Sequence, residues 1–471
     1  MDDLLRPILE QFRALCAIPH PSGHEEAITG YLLDALTALG LAPERDEALN
    51  LRCQLPPTPG RESAPGIILQ AHTDMVCVSR AGISYQPEKD PVHPVEQDGW
   101  LHSDGNTTLG ADNGIAVAMM LWLARQREGF SHGPVTLLFT ACEEQGLVGA
   151  RALDPKWLEG YRYYVNLDAF RGDAVIFAAA GGLRQKWGRD IRWQAPSSSH
   201  AFALTLSGLT GGHSGFDIHR GRANAIHLLL ALMEGSGWEV AHLSGGSQFN
   251  AIPTQAKAVV VTDAPEVLVA RCQTWLAETQ DQWAHTDPAL TLEVKACPLP
   301  HRVWDEETLS ATIAMFRALP KGAVAMRTDL PDTVADSGNP AVLGVEGNTV
   351  TLCHFGRCAT QESLARMEQS TNADAHKLGF RLLEGYRYPA WTGQPENPLT
   401  ALLPKLERVA LHVGLEGAIV ADKCPGLAGI ALGFDIEDAH AVTERVRLGS
   451  IPVTVRRIIR LLDRLSKEEP T

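Results

Sequence analysis

The sequence has no excess of positive charge and no block of Lys or Arg residues. Its 41 Lys and Arg residues stand against 56 Asp and Glu residues, which gives a formal net charge of −15. Electrostatic binding to nucleic acid or to an anionic membrane is therefore not expected. The chain also lacks an uninterrupted apolar run of about 20 residues, which excludes a membrane-spanning helix.

The sequence also lacks the cysteine spacing of a disulfide-rich protein. Nine cysteines are scattered along the chain, an odd number, and no two of them form a C-x-x-C pair. This usage is typical of reduced cysteines in the cytosol. The first residues contain two acids and then an amphipathic pattern, without the basic start and apolar run of a signal peptide. We therefore expect a cytoplasmic protein.

The composition is that of a folded chain with more than one domain. Of its 471 residues, 45% are hydrophobic and 21% are charged. These proportions are ordinary for a globular protein, and the length corresponds to two or three domains.

Short apolar segments in the first part of the chain predict buried parallel strands. They lie at 67–71, 134–141 and 163–169, and helical patterns separate them. This alternation predicts an α/β domain with a mostly parallel central sheet. From about residue 185 the pattern changes to alternating or β-branched segments at 202–209, 256–263 and 290–296. These segments predict an inserted α+β domain with an antiparallel sheet.

The change of pattern also predicts where the domains begin and end. Residues 1–185 and 386–471 form a discontinuous α/β domain in this prediction, and residues 186–385 form an inserted α+β domain.

Histidine and acidic side chains cluster at the ends of the predicted parallel strands, where ligand sites of α/β sheets form. They are His72 and Asp74 after the first strand, Glu143 and Glu144 after the second, and Asp168 near the end of the third. Asp112 opens a helical segment between the first two strands.

Each of these motifs alone also has an ordinary structural explanation. Asp112 could cap a helix, Asp168 could end a strand in a turn, and the Glu143–Glu144 pair could lie in an exposed acidic loop. Taken together, one histidine and several carboxylates in a single cleft suit a divalent ion such as Zn²⁺. Two such ions about 3.5–4 Å apart need a bridging carboxylate.

Six motifs resemble those of the co-catalytic zinc exopeptidases, a family that includes carboxypeptidase G, peptidase T, desuccinylases and carnosinases. In chain order they are LQAHTDMV, TLGADNGIAVAM, FTACEEQGLVGA, VNLDAF, GLTGGHSGFDIHRGRANA and GGSQFNAIP. The sequence is most similar to the aminoacyl-histidine dipeptidase branch, which AIPHPSGHEE near the N-terminus also resembles. The resemblance runs from about residue 8 to residue 465.

The resemblance implies a site for two divalent metal ions, with Zn²⁺ as the expected ion and Mn²⁺ or Co²⁺ as alternatives. Asp112 matches the carboxylate that bridges both ions. The other ligands would be His72 and Asp168 for one ion, and Glu144 with a C-terminal histidine for the other.

His440, in IEDAHAVTERV, is the expected C-terminal histidine, with His412 and His354 as alternatives. At this place the sequence departs from the family, because His440 lacks the usual following Pro, although Glu444 remains downstream. The segment VNLDAF also departs, since the branch usually has Ser-Glu after the Asp that matches Asp168.

The resemblance assigns further roles outside the metal ligands. Glu143 matches the general base, and Asp74 matches the residue that orients His72. His213, in GGHSG, matches a lid histidine that reaches the partner subunit's active site and stabilises the oxyanion there. Asn250 and Arg357 match positions that hold the carboxylate end of the substrate.

The resemblance implies that residues 1–185 and 386–471 are a catalytic di-zinc domain and that residues 186–385 are a lid and dimerisation domain. The implied protein is a homodimer, joined through its lid domains, that hydrolyses a small dipeptide. Xaa-His dipeptides such as carnosine are the substrates that the resemblance implies. One alternative is an amidohydrolase of the same family that acts on N-acyl amino acids or other dipeptides. The other is a catalytically inactive zinc-binding scaffold, which the presence of Glu143 and Asp112 disfavours.

Overall fold

The structure, a computed structural model, describes residues 3–469. Within this range the helices are α1 (Leu5–Cys16), α2 (Glu26–Thr37), α3 (Ala111–Arg125), α4 (Val148–Ala152), α5 (Ala225–Met233), α6 (Pro265–Gln282), α7 (Glu306–Ala318), α8 (Gln361–Lys377), α9 (Pro398–Ala401), α10 (Glu416–Lys423) and α11 (Ser450–Leu465). Short 3₁₀ turns lie at Arg127–Gly129, Pro155–Trp157 and Ile218–Arg220.

The strands of the first half of the chain are β1 (Glu44–Arg45), β2 (Leu51–Leu55), β3 (Gly66–His72), β4 (Pro94–Gln97), β5 (Trp100–Ser103), β6 (Val135–Thr140), β7 (Tyr161–Ala169), β8 (Ala174–Ala179), β9 (Gly181–Asp190), β10 (Trp193–Gln194) and β11 (His200–Ser207). The later strands are β12 (Glu239–Gly245), β13 (Ala256–Thr262), β14 (Thr291–Cys297), β15 (Val303–Trp304), β16 (Gly322–Met326), β17 (Val334–Glu346), β18 (Thr349–Cys358), β19 (Arg381–Tyr388), β20 (Glu407–Leu411), β21 (Ala428–Gly433), β22 (Ile436–Glu437) and β23 (Arg445–Arg447).

The chain divides into two compact units. The first consists of residues 1–179, 393–410 and 415–471, and the second consists of 180–392 and 411–414. The assignment of the predicted domains 1–185 with 386–471 and 186–385 to catalysis and dimerisation stays a prediction.

The first unit is built on an eight-stranded sheet in the order β1-β2-β6-β3-β7-β21-β8-β20. The three predicted buried strands are β6, β3 and β7, which are neighbours and pair in parallel. Every residue of β3 and β6 is buried, which is why both read as continuous apolar segments. The α/β fold class with a mostly parallel central sheet is confirmed.

Helices α1, α2, α3 and α11 bury their apolar side chains in the core of the first unit. Helix α3 is buried almost throughout its length. A separate antiparallel sheet, in the order β22-β23-β5-β4, lies in the same unit. Asp112 is the second residue of α3, so the packing of this helix fixes the position of that residue.

The second unit contains a nine-stranded antiparallel sheet. Its strand order is β14-β11-β13-β12-β17-β18-β9-β19, and β16 pairs with β17. Helices α5 to α8 contribute apolar side chains to the core of this unit. The prediction of an inserted α+β domain with an antiparallel sheet is confirmed.

Within residues 3–469 the nine cysteines form no disulfide, and no helix is long and apolar enough to cross a membrane.

Candidate metal centre and active site

Three neighbouring strands bring the predicted site residues of the first unit together. His72 is the last residue of β3, and Asp168 is the last but one of β7. The Glu143–Glu144 pair follows β6 by three residues. Because these strands are parallel and adjacent, their carboxyl ends meet at one edge of the sheet.

The first group of possible metal ligands consists of His72, Asp112 and Asp168. The Nε2 atom of His72 lies 3.0 Å from Oδ1 of Asp112 and 4.0 Å from Oδ1 of Asp168. All three residues are buried, and one donor atom from each lies within 4.8 Å of the others.

The second group consists of Asp112, Glu144 and His440. The Nε2 atom of His440 lies 3.0 Å from Oδ2 of Asp112 and 2.8 Å from Oε1 of Glu144. The two oxygens of Asp112 therefore face two different histidines, one in each group. The carboxylate of Asp112 is therefore directed to the site.

His440 is the C-terminal histidine that the structure brings to this cluster. The two alternatives, His412 and His354, lie in the second unit. There the Nε2 atom of His412 lies 2.6 Å from the hydroxyl oxygen of Ser337, and that of His354 lies 3.2 Å from the carbonyl oxygen of Pro320. Neither belongs to a group of possible metal ligands among residues 3–469.

Asp74 connects His72 to the Glu143–Glu144 pair. Its carboxylate accepts hydrogen bonds from the backbone N–H groups of Glu143 and Glu144, at 2.9 and 3.2 Å, and lies 3.4 Å from Nδ1 of His72. Burial disfavours the charged carboxylate, but the hydrogen bond and charge of His72 and the N–H of Glu143 together outweigh it, so that the pKa of Asp74 is below its usual value. An ionised Asp74 can hold the His72 ring in one orientation.

The site brings several buried carboxylates close together. Burial and the charge of Glu144 raise the pKa of Glu143 well above its usual value. Burial and the charge of Asp112 do the same for the pKa of Asp168. Because these carboxylates repel each other, cations between them would stabilise the site. The donor set of two imidazoles and several carboxylates fits two divalent ions.

A buried polar network lies behind the ligand-bearing strand ends. Oε1 of Gln70, two residues before His72, accepts hydrogen bonds from Tyr164 and Asn166 of β7, and its Nε2 donates at 2.5 Å to Glu416. The hydroxyl of Thr140, at the end of β6, also donates to Glu416, at 2.7 Å. Burial raises the pKa of Glu416 to about 7. Helix α10 thus contacts two of the three strands through one carboxylate.

Sequence reasoning missed the contributions of Glu416 and Glu444. Glu444 is buried and accepts hydrogen bonds from backbone N–H groups next to and at Asp112. A signal existed for both residues. Glu416 lies in the glycine-flanked segment GLEG at 414–417, and Glu444 is the acidic residue four positions after His440.

In the second unit, His213 lies in a tight loop beside Asn250. Its Nδ1 atom accepts hydrogen bonds from the N–H groups of Gly215 and Phe216, at 3.1 and 3.2 Å. The neutral ring therefore carries its hydrogen on Nε2. The carbonyl oxygen of Asn250 accepts a hydrogen bond from Ser214 at 2.7 Å, which places Asn250 next to this loop.

Arg357 lies near the end of β18, in the sheet of the second unit, and is 4% exposed. Its guanidinium donates to the hydroxyl of Tyr388 at 3.0 Å and lies 4.4 Å from the centre of the Phe355 ring. Its Nε atom has no hydrogen-bond partner among residues 3–469. Burial lowers the pKa of Arg357. A buried cation with a free donor can bind an anionic group.

Two family models match successive segments of the chain. Residues 53–205 match the model of peptidase family M28, and residues 204–284 match that of a peptidase dimerisation domain. The chain is 29% identical over 464 residues to the cytosol non-specific dipeptidase of Escherichia coli, covering 95% of each chain.

Solved structures agree with this match. The aminoacylhistidine dipeptidase of Vibrio alginolyticus is 29% identical, with a TM-score of 0.85 over 97% of this chain and 96% of that one. The chain is similar to these metallo-dipeptidases over nearly its whole length. Human carnosine dipeptidase 1, 12% identical with a TM-score of 0.53 over 99% of each chain, shares the fold. The family resemblance drawn from the six motifs is confirmed.

Proposed function

We propose that this metallo-dipeptidase uses two Zn²⁺ ions to hydrolyse Xaa-His dipeptides such as carnosine. The observation that carries the proposal is the position of Asp112, whose two oxygens face His72 and His440 at 3.0 Å each. A carboxylate shared in this way suits a pair of ions. His72 and Asp168 would complete the ligands of one ion, and Glu144 and His440 those of the other.

Bound at this place, the ions would polarise the scissile carbonyl and lower the pKa of a water molecule. In the proposed reaction, the carboxylate of Glu143 removes a proton from the attacking water. It then delivers this proton to the nitrogen of the leaving amine. The raised pKa of Glu143 supports this role, because a base must hold the proton between the two steps. Asp74 keeps the His72 ring and the Glu143 backbone in place through the contacts described above.

The residues of the second unit are proposed to recognise the substrate. Arg357 and Asn250 would hold its carboxylate end, which the buried and incompletely bonded guanidinium of Arg357 supports. His213, with its hydrogen on Nε2, would donate to the oxyanion of the partner subunit's reaction. The match of residues 204–284 to a peptidase dimerisation domain supports a homodimer formed through the lid, 186–385. The Escherichia coli relative is named a cytosol enzyme, which supports a cytoplasmic location.

A dipeptide panel tests the proposed substrate. The metal-stripped protein is assayed on carnosine, Gly-His, Gly-Leu and N-acetyl-histidine, after restoring Zn²⁺, Mn²⁺ or Co²⁺ in separate samples. We expect metal-dependent hydrolysis with the largest kcat/KM on the two Xaa-His dipeptides. An equal kcat/KM on Gly-Leu would show a broad dipeptide specificity instead of an Xaa-His preference. The name of the Escherichia coli relative implies such a broad specificity for that protein. Hydrolysis of N-acetyl-histidine alone would establish the amidohydrolase alternative instead.

A further inference from the structure

Glu444 is a buried carboxylate that contacts backbone rather than side chains. Its Oε2 atom accepts hydrogen bonds from the N–H groups of Leu109 and Gly110, at 2.8 and 2.9 Å. Its Oε1 atom accepts one from the N–H group of Asp112, at 3.2 Å. The residue is 2% exposed and belongs to no group of possible metal ligands within residues 3–469. Three of its contacts therefore fix the turn that carries the shared carboxylate.

The turn that Glu444 holds has an unusual backbone. Gly110 has a φ of 74°, in the left-handed region, and a Cβ at this position would lie 2.8 Å from the sulfur of Met75. Asp112 itself has a non-helical φ of −80° and ψ of 104°. A helix that begins in this way leaves N–H groups without helical acceptors. The carboxylate of Glu444 supplies acceptors for N–H groups at this turn.

The segment that carries Glu444 also carries His440. Two successive turns connect them: the N–H of Ala441 bonds to the carbonyl of Asp438, and the N–H of Glu444 bonds to the carbonyl of Ala441. His440 has a φ of 66°, which a non-glycine residue adopts only when its surroundings impose it. The position of His440 is therefore tied to that of Glu444.

We propose that Glu444 is a positioning residue that sets the distance between Asp112 and His440. It holds the backbone of Asp112 from one side and, through the two turns, holds His440 from the other. As a result, the carboxylate of Asp112 and the ring of His440, more than 300 residues apart in the sequence, are already positioned for an ion in the metal-free protein. Such groups behind metal ligands typically contribute about 10–100-fold to metal affinity. This proposal rests on the proposed metal site.

The test replaces Glu444 with Gln in the full-length protein. A Gln side chain has the same shape, and its one oxygen can keep the bonds from Leu109 and Gly110. Its amide group would then face the N–H of Asp112, so that two donors meet. We expect Zn²⁺ dissociation constants, measured on metal-stripped protein by competition with a chelator, to rise roughly 10–100-fold. Excess Zn²⁺ or Mn²⁺ should recover a large part of kcat, because the ligands themselves are intact.

Two further variants make the result decisive. Glu437→Gln lies in the same segment and removes an exposed carboxylate that pairs with Arg445, so its Zn²⁺ affinity should equal that of the wild type. Asp112→Asn changes the shared ligand and should reduce metal binding whatever Glu444 does. If Asp112→Asn keeps both ions, the proposed metal site is wrong.

If Asp112→Asn loses metal while Glu444→Gln binds Zn²⁺ like the wild type, only the role of Glu444 is wrong. The unfolding temperature of each metal-stripped variant separates positioning from general stability. A Glu444→Gln protein that unfolds earlier but keeps its Zn²⁺ affinity would show a purely structural residue and overturn the proposal.

Discussion

At the scale of single residues, Glu143 and Glu144 are adjacent in the chain but have different surroundings. The carboxylate of Glu144 contacts His440 at 2.8 Å, which is the geometry of a ligand pair. Glu143 has its pKa raised by burial and by the charge of Glu144, which is the property of a group that accepts a proton. The two neighbours are therefore expected to respond differently to the same substitution.

We predict that Glu143→Gln leaves the metal content near that of the wild type and lowers kcat at least about 100-fold. Glu144→Gln should instead lose bound metal, because it removes a charged ligand of the second group. Elemental analysis of the dialysed proteins and a steady-state assay measure both effects. Loss of metal in the Glu143→Gln protein with retention in the Glu144→Gln protein would exchange the two roles.

At the scale of secondary-structure elements, strand β18 buries a titratable group in the sheet of the second unit. His354 is completely buried, and Nε2 is its hydrogen-bonding atom, 3.2 Å from the carbonyl oxygen of Pro320. Burial lowers the pKa of His354 to about 4 from the usual 6.5. The folded protein therefore keeps this ring neutral at pH values where the unfolded chain binds a proton.

We predict that His354 makes the metal-stripped protein sensitive to acid. Stability from the neutral ring is complete above pH 6.5 and is lost as the pH falls from 6.5 toward 4. The shift corresponds to about 3 kcal/mol. His354→Gln should flatten the pH dependence of the free energy of unfolding in this window. The exposed His301→Gln variant is the control and should keep the wild-type slope, and an equally steep slope in both variants would contradict the prediction.

The parallel strands, and the placement of His72 and Asp168 at their ends, were predictable because each depends on a short stretch of sequence. Strand β3 reads as a continuous apolar segment because both of its faces are buried, and His72 is its last residue. The contacts of Glu444 with residues 109–112 could not be predicted in this way. They join side chain to backbone across more than 330 residues, and no periodicity encodes such a pair. The same holds for Glu416, whose partners Gln70 and Thr140 lie on other elements.

The order of the strands in the second unit also could not be predicted from the sequence pattern. Alternation predicted β11, β13 and β14, but β9 and β19 join the same sheet from its other side through β18. The pairing of strands from distant segments depends on the packing of their side chains against neighbouring strands and helices. This packing involves the whole unit and cannot be read from a short window of sequence.

At the scale of the whole molecule, the proposed dimer makes a prediction about two defective chains. Glu143→Ala lacks the base, and His213→Ala lacks the proposed oxyanion donor, so each homodimer should be nearly inactive. In a mixed dimer, the His213→Ala chain keeps its own Glu143 and receives an intact His213 from its partner. Random pairing makes half of the dimers mixed, each with one complete site of two, which gives roughly a quarter of the wild-type activity.

The two chains carry different affinity tags and must be dissociated and reassociated together, since a tight dimer does not exchange subunits quickly. The matched control mixes Glu143→Ala with Glu144→Gln, because both defects lie in the same unit and every mixed site lacks either the base or a ligand. That mixture should show no recovery. If dimers that carry both tags are isolated from the first mixture and are no more active than the separate variants, His213 does not act on the partner's site. It would then have to serve its own chain, since in that case every site of the mixed dimer lacks one of the two groups.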